Sequence, residues 1–324
     1  MDHCIEFENS LYGINPSYSM MDIYDIDFWV NRLVGLPALR PFSIEKVVQL
    51  CITYCENHDF GQLMLEKGIT KCITLIHRLY KSGIYDINDI LPYLYEGDSY
   101  IICYYFRGEI CNFNQFISEK WKPYNFDDSF ISNEAEIDDL LEYGFSPGTI
   151  EYCLKFDDIS TFRSFLPLKA ENIRWSPFEW AKRPDSIDLM SFSGCFGSIN
   201  CFKHLLLNGY NIKHDVMLHV VQGGNLDMFR LSYKEYSDSE EFMIKSIEYC
   251  HLHLLRFLFE ERFNILESNR DEIIHIKNVN LLNMAVTHGH LSIIDYLQNQ
   301  EIIVNNDDSD IIFNFLIHLC IERL

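Results

Sequence analysis

Apolar residues recur at spacings of three and four along almost the whole chain, and strict alternation of apolar and polar residues is rare. This is the period of amphipathic α-helices. The spacing predicts a short helix over 23–33, a helix over 42–58 with Ser43 as its N-cap, and a second long helix over 60–81. Gly83 follows directly, where a C-terminal cap is expected. The pattern therefore predicts an all-α protein.

A glycine-centred segment recurs in the C-terminal half of the chain, at 197–209, 224–231 and 289–297. Its layout is that of a helix, a tight turn and a second, antiparallel helix. We call the residue at the turn the anchor of each repeat. The anchors are Asp157, Gly197, Gly224, Cys250 and Gly289, spaced by 40, 27, 26 and 39 residues. One such unit cannot bury its apolar face alone, so the repetition predicts a stacked solenoid.

Two positions around each anchor have a constant character. The fourth residue before the anchor is mostly small, which lets neighbouring helices approach closely; these residues are Cys153, Ser193, Val220, Ser246 and Ala285. The fifth residue after it is large and apolar, as expected of a core position; these residues are Phe162, Phe202, Phe229, Leu255 and Ile294. Glycine at the anchor allows a positive φ, which aspartate tolerates better than most residues.

This layout resembles the ankyrin repeat, and residues 280–291 match it best. More narrowly, residues 150–152, 175–180, 196–209 and 221–226 resemble a large family of divergent ankyrin proteins of parasitic protists. Proteins of that family carry a helical region before their repeats. The resemblance implies an ankyrin-type α-solenoid with a binding role, and it names no partner.

The predicted organisation has three parts. Residues 1–122 form a helical N-terminal region, residues 123–137 form an acidic linker, and residues 138–324 hold the divergent repeats. A capping helix over 310–319 closes the array at its C-terminal end. The acidic run is interpreted as a solvated connector and helix start, with a site for a basic ligand as the sharper alternative.

The net charge of −22 opposes binding to nucleic acid and to anionic membranes, and it attracts a basic protein partner. The 11 cysteines are odd in number and lie mostly in apolar patterns, which is typical of buried thiols in a reducing compartment. Neither a signal peptide nor a transmembrane span is predicted. We therefore expect a cytoplasmic monomer.

Little in the sequence predicts chemistry. Cys-x-x-Cys, His-Glu-x-x-His and phosphate-binding glycine loops do not occur, so no metal, cofactor or catalytic residue is predicted. His251 and His290 each follow an anchor, where ankyrin repeats commonly carry a histidine that joins turns by hydrogen bonds. A cysteine nucleophile activated by a histidine could still be assembled in space. Trp175, Phe178 and Trp180 are interpreted as a packed aromatic cluster, with a ligand cage as the alternative.

We therefore expect a non-catalytic protein-interaction module or scaffold that binds its partner across a concave repeat face. The residues two and one before each anchor are the expected contact residues: Lys155, Phe156, Cys195, Phe196, Gln222, Gly223, Glu248, Tyr249, Thr287 and His288. The alternative is an enzyme, or an adaptor that recruits one, with its activity in residues 1–120. A cavity with convergent titratable groups in that segment would favour the alternative.

Overall fold

A computed structural model describes most of the chain, and the described residues are predominantly helical. They are residues 30–31, 33–35, 44–54, 58–96, 100–113, 115–116, 134–165, 172–176, 178–179, 186–233, 239–265, 281–282, 284–285, 288 and 290–299. The described residues divide after residue 189 into two compact units, which we call the N-terminal and the C-terminal unit. The all-α prediction is confirmed for the described residues, apart from one short hairpin.

The N-terminal unit contains the hairpin and eight α-helices whose bounds are described in full. The helices are α1 (Ile44–Tyr54), α2 (His58–Lys71), α3 (Ile73–Lys81), α4 (Ile87–Glu96), α5 (Tyr100–Tyr105), α6 (Glu134–Tyr143), α7 (Ile150–Phe156) and α8 (Ile159–Phe162). Strands β1 (Asn172–Arg174) and β2 (Ser186–Asp188) pair antiparallel, with Ile173 opposite Ile187. Short 3₁₀ turns follow α5 and α8, over Arg107–Glu109 and Arg163–Phe165.

The first predicted long helix is confirmed as α1, but the second is two helices. The break is at Cys72, whose backbone leaves the helical region at φ −150° and ψ 74°. It turns α3 back so that this helix packs on both α1 and α2. Gly68 of α2 permits the close approach, because a Cβ there would lie only 2.8 Å from Cγ1 of Ile76. The predicted cap of α3 is confirmed: Gly83 has φ +76°, and the N–H of Ile84 donates to the Leu79 carbonyl over 3.0 Å.

The C-terminal unit continues with seven helices whose bounds are described in full, the first of which begins at the division. They are α9 (Leu189–Phe196), α10 (Ile199–Leu207), α11 (His214–Gly223), α12 (Leu226–Tyr233), α13 (Ser239–Glu248), α14 (Leu252–Ile265) and α15 (Leu291–Asn299). The predicted capping helix over 310–319 lies outside the described residues, as does most of the predicted helix over 23–33.

The same turn follows the first helix of each repeat. The anchors Asp157, Gly197, Gly224 and Cys250 have φ values of +57°, +67°, +69° and +57°, while Gly289 lies outside the described residues. In four repeats the N–H of the residue that follows the anchor donates to the carbonyl of the residue four positions before the anchor. These bonds join Asp158 to Cys153, Ser198 to Ser193, His251 to Ser246 and His290 to Ala285, over 2.7–3.0 Å. This is the Schellman closure of a helix C-terminus, so the anchors mark a recurring structural unit.

The two constant positions of the repeat are core positions. All five small residues four before the anchors and all five large residues five after them are at most 1% exposed. Ser193 and Ser246 satisfy their buried hydroxyls within their own helices, by donating to the carbonyls of Met190 and Phe242 over 2.8 and 2.7 Å. The alignment of the repeats thus agrees with the burial of the chain, whereas the ankyrin-type solenoid stays a prediction.

The predicted division into three parts also stays a prediction. Residues 123–133, most of the predicted acidic linker, lie outside the described residues. Residues 134–137 form the first turn of α6, as the helix-start interpretation of this segment anticipated.

Candidate binding surfaces

In the C-terminal unit, the ends of α9 and α11 meet backbone to backbone. A Cβ on Gly194 would lie 3.1 Å from the backbone nitrogen of Val220, and one on Gly223 would overlap the carbonyl oxygen of Gly194. Side chains at these two positions would force the helices apart. The glycines therefore bring the last turns of α9 and α11 together. These turns carry Cys195 and Gln222.

A thiol, an imidazole and an amide converge at this junction. The Sγ atom of Cys195 lies 3.2 Å from Nδ1 of His219 and donates to Oε1 of Gln222 over 3.5 Å. Nδ1 of His219 is also 3.3 Å from the same amide oxygen. Cys195 and Gln222 each precede an anchor by two residues, so equivalent positions of successive repeats adjoin. His219 was not predicted, although it lies one helical turn before Gln222 and hence on the same face.

The next repeat has a similar pair. Nζ of Lys245 donates to Oε2 of Glu248 over 2.7 Å and lies 5.9 Å from the centre of the Tyr249 ring. The hydrogen bond to Glu248 raises the pKa of the Lys245 ammonium, which keeps this group charged. Lys245 and Glu248 occupy the same two positions relative to their anchor as His219 and Gln222 do.

Histidines join successive turns, as predicted for His251. Its Nε2 atom lies 2.9 Å from the carbonyl oxygen of Gln222, one repeat earlier. His253 adds a second contact of this kind, with Nε2 2.7 Å from the carbonyl oxygen of Gly224. In the last described repeat, the ring of His290 stacks on that of His288 at a centroid distance of 5.7 Å.

The expected contact residues of the C-terminal unit differ in exposure. His288 is exposed, Gln222, Gly223, Glu248 and Tyr249 are half-buried, and Thr287 lies outside the described residues. Cys195 and Phe196 are only 3% and 7% exposed, so the prediction that they contact a partner is wrong. Both belong to the core because α9 faces α11 on this side, and the Phe196 ring lies 4.9 Å from that of Phe192.

In the N-terminal unit, Lys155 forms a buried ion pair. Its Nζ atom donates to Oε2 of Glu179 and to the carbonyl oxygen of Tyr143, each over 2.7 Å. The side chains of Lys155 and Glu179 are only 11% and 1% exposed. The neighbouring Phe156 is 38% exposed, with its ring centre 5.5 Å from the ammonium nitrogen. Of the two expected contact residues in this unit, Phe156 therefore offers surface, while Lys155 is mainly a structural cation.

A cavity of about 500 Å³ in the N-terminal unit has titratable groups in its lining. Burial lowers the pKa of His77 to about 4, and the positive charges of Lys81, Arg78 and Arg107 add to this effect. Arg107 donates to a carboxylate oxygen of Asp138 over 2.9 Å, and Glu109 accepts a hydrogen bond from Tyr80 over 2.8 Å. The lining comes from three separate chain segments, 77–81, 105–109 and 138–143, so no local sequence motif could have predicted it.

The predicted aromatic cluster is partly described. The Phe178 ring lies 6.0 Å from that of Tyr104 and 6.5 Å from that of Tyr105, in edge-on contacts that suit a packed core. Trp175 is half-buried, and Trp180 lies outside the described residues. For Phe178, the packing interpretation is confirmed.

Among the described residues, no three or more His, Cys, Asp or Glu side chains cluster in a way that could hold a metal ion. In the same part of the chain, every helix is too short or too polar to cross a membrane. No protein-family model matches the chain, and neither does any curated protein or solved structure with which it was compared.

Proposed function

We propose that the protein is a non-catalytic interaction module that binds a partner protein along the turn side of its C-terminal unit. The observation that carries the proposal is the contact between Cys195 and Gln222, which places equivalent positions of successive repeats side by side. Gln222 and Glu248, the half-buried residues at this position in two successive repeats, are then available to a partner, while the constant core positions hold the helices. Such surface positions can vary in chemistry without disturbing the core, as in repeat proteins that bind partners.

The chemistry of this surface suits a basic partner. The net charge of −22 attracts a positively charged surface and speeds the encounter. Exposed charge pairs add little affinity, so Tyr249 is expected to supply the main apolar contact of the interface. Gln222, Glu248 and His288 supply polar contacts around it.

The test begins with affinity capture of partners and their identification by mass spectrometry. We expect Tyr249→Ala and Gln222→Ala to weaken binding of the captured partner. Leu207→Ala is the matched control: Leu207 is 85% exposed, at the end of α10 away from its anchor. The association rate should fall as salt rises, because the Debye length shrinks from about 10 Å at 0.1 M to about 3 Å at 1 M. An association rate indifferent to salt, together with unchanged binding by the first two variants, would contradict the proposal.

A second candidate is an enzyme, or an adaptor that recruits one, with its site at the cavity of about 500 Å³. The convergence of His77, Lys81, Arg107 and Asp138 around that cavity favours it. Its volume lies within the range of roughly 300–1,000 Å³ that is usual for small-molecule sites. A small molecule that binds there, and whose conversion the protein accelerates, would favour this candidate over protein binding.

A further inference from the structure

A carboxylate of the N-terminal unit is buried with one oxygen lacking a donor. Oε2 of Glu179 accepts from Lys155, but Oε1 is buried and accepts no hydrogen bond from any residue that the structure describes. A buried carboxylate oxygen without a donor is energetically costly. A ligand that carries an N–H group to Oε1 would remove that cost.

The surrounding main chain holds Glu179 in place. Its own N–H donates to the carbonyl of Ser176 over 3.0 Å, and the Lys155 ammonium also bonds to the Tyr143 carbonyl. Gly144 follows Tyr143 in the chain. A Cβ at position 144 would lie 2.5 Å from Oε2 of Glu179, so the glycine leaves room for the carboxylate. The position of Glu179 is therefore fixed from three sides.

Glu179 lines a cavity of about 210 Å³ that passes from an exposed rim to a buried base. At the rim, the side chains of Glu45 and Glu142 are 63% and 42% exposed, and Phe156 is 38% exposed. At the base, Glu179, Phe178 and Thr74 are buried. The volume is below the roughly 300 Å³ at which sites for drug-sized ligands begin, so it suits a single side chain.

The charges of the lining favour a cation. Three carboxylates, Glu45, Glu142 and Glu179, face the cavity together with two cations, Arg78 and Lys155. Arg78 forms ion pairs with both Glu142, over 2.8 Å, and Glu45. Both cations thus already have carboxylate partners, and an anionic ligand would have to displace one of them. A cationic ligand would instead meet a net charge of −1 and the available oxygen of Glu179.

We propose that this cavity receives an arginine or lysine side chain of the partner protein. The N–H group of that side chain donates to Oε1 of Glu179, while Glu142 and Glu45 stabilise its charge at the rim. The partly exposed ring of Phe156 packs against its aliphatic stem. The proposal rests on the proposed function, because it assigns a basic side chain of the partner to a specific pocket.

Capped tripeptides provide the test. Acetyl-Gly-Arg-Gly-amide and its lysine counterpart are titrated into the full chain and followed by saturation-transfer NMR. Citrulline replaces arginine in a neutral peptide of nearly the same shape, and glutamate replaces it in an anionic one. We expect the two basic peptides to bind with dissociation constants of about 1 mM, and the other two at least about fivefold more weakly.

Variants assign the binding to the cavity. Glu179→Gln should weaken binding of the arginine peptide by about fivefold or more. The amide is neutral, but its oxygen still accepts the hydrogen bond from Lys155. Glu142→Gln at the exposed rim should weaken it in the same direction, and it provides the test if the first variant fails to fold. Glu66→Gln makes the same charge change at an exposed site of the same unit, outside the cavity lining, and should have no effect.

Three outcomes would overturn the pocket: equal binding of the arginine and citrulline peptides, preference for the glutamate peptide, or no binding of either basic peptide. Failure of the pocket is distinguishable from failure of the proposed function, whose variants lie in the other unit. A captured partner that responds to Tyr249→Ala but not to Glu179→Gln would remove the pocket alone.

Discussion

At the scale of single residues, His77 is a buried imidazole whose protonation opposes folding. It is 8% exposed, and its ring centre lies 5.1 Å from that of Tyr105 and 5.6 Å from that of Phe106. Burial is the main cause that lowers its pKa to about 4, helped by Lys81, Arg78 and Arg107 and opposed by Asp138. In the unfolded chain a histidine has a pKa of about 6.5, so as the pH falls the unfolded chain takes up this proton before the folded protein does. The stability associated with His77 is present above about pH 6.5 and is lost between there and about pH 4.

The free energy of unfolding at pH 7 and at pH 4.5, measured by urea titration, should show this loss. Wild type should lose roughly 2 kcal/mol more over this interval than His77→Phe, because the variant has no proton to take up. Equal losses for wild type and His77→Phe would show that the imidazole is not held neutral by burial.

At the scale of elements, the turns of the C-terminal unit combine backbone conformation with close packing. Gly224 and Gly209 have φ values of +69° and +87°, so alanine is strained at both. Only Gly224 is also crowded, because a Cβ there would overlap the imidazole of His251, whereas a Cβ at Gly209 meets nothing within 4 Å. The pair separates the cost of conformation from the cost of packing.

We expect Gly209→Ala to destabilise the protein by about 1 kcal/mol and Gly224→Ala by about 1–3 kcal/mol more. Chemical denaturation followed by circular dichroism measures both. In the double variant Gly224→Ala, His251→Ala the overlap is gone, so its destabilisation should be smaller than the sum of those of the two single variants. Additive effects would mean that the ring of His251 does not occupy the space beside Gly224.

Elements whose cause is local could be predicted from the sequence, and elements whose cause is tertiary could not. The spacing of apolar residues gives α1, and the glycine pattern gives the positive-φ turns at Gly197 and Gly224. The break at Cys72 depends on how α3 packs on α1 and α2. Because the cause is this packing, the sequence carries no glycine or proline that would mark a turn at Cys72. The bond between Lys155 and Glu179 joins residues 24 positions apart, so the sequence could offer Lys155 only as a surface residue.

At the scale of the whole molecule, the thiols show how the cysteines are used. All eight described cysteines are thiols rather than disulfides, and Cys111 is the one among them that is exposed. Burial raises the pKa of Cys72 to about 12 and that of Cys153 to about 11, so neither forms the reactive thiolate near neutral pH. The chain uses most of its cysteines as small apolar residues.

Titration with a thiol reagent should therefore separate Cys111 from the buried cysteines. The denatured protein should give 11 thiols, the number in the sequence. In the native protein at pH 7.5, Cys111→Ser should remove one rapidly reacting equivalent, whereas Cys72→Ser should remove none. A rapid phase that is unchanged by Cys111→Ser, or lowered by Cys72→Ser, would contradict the burial pattern.

The bond from His251 to the repeat before it ends on the main-chain carbonyl of Gln222, and every amino acid carries that group. The joint between these two repeats therefore does not depend on which side chain occupies position 222. A library randomised at this position, with proline left out because residue 222 lies within helix α11, would keep the joint while changing the surface that its members present. The protein is thus built so that selection, natural or in the laboratory, can alter recognition at position 222 separately from this part of the fold.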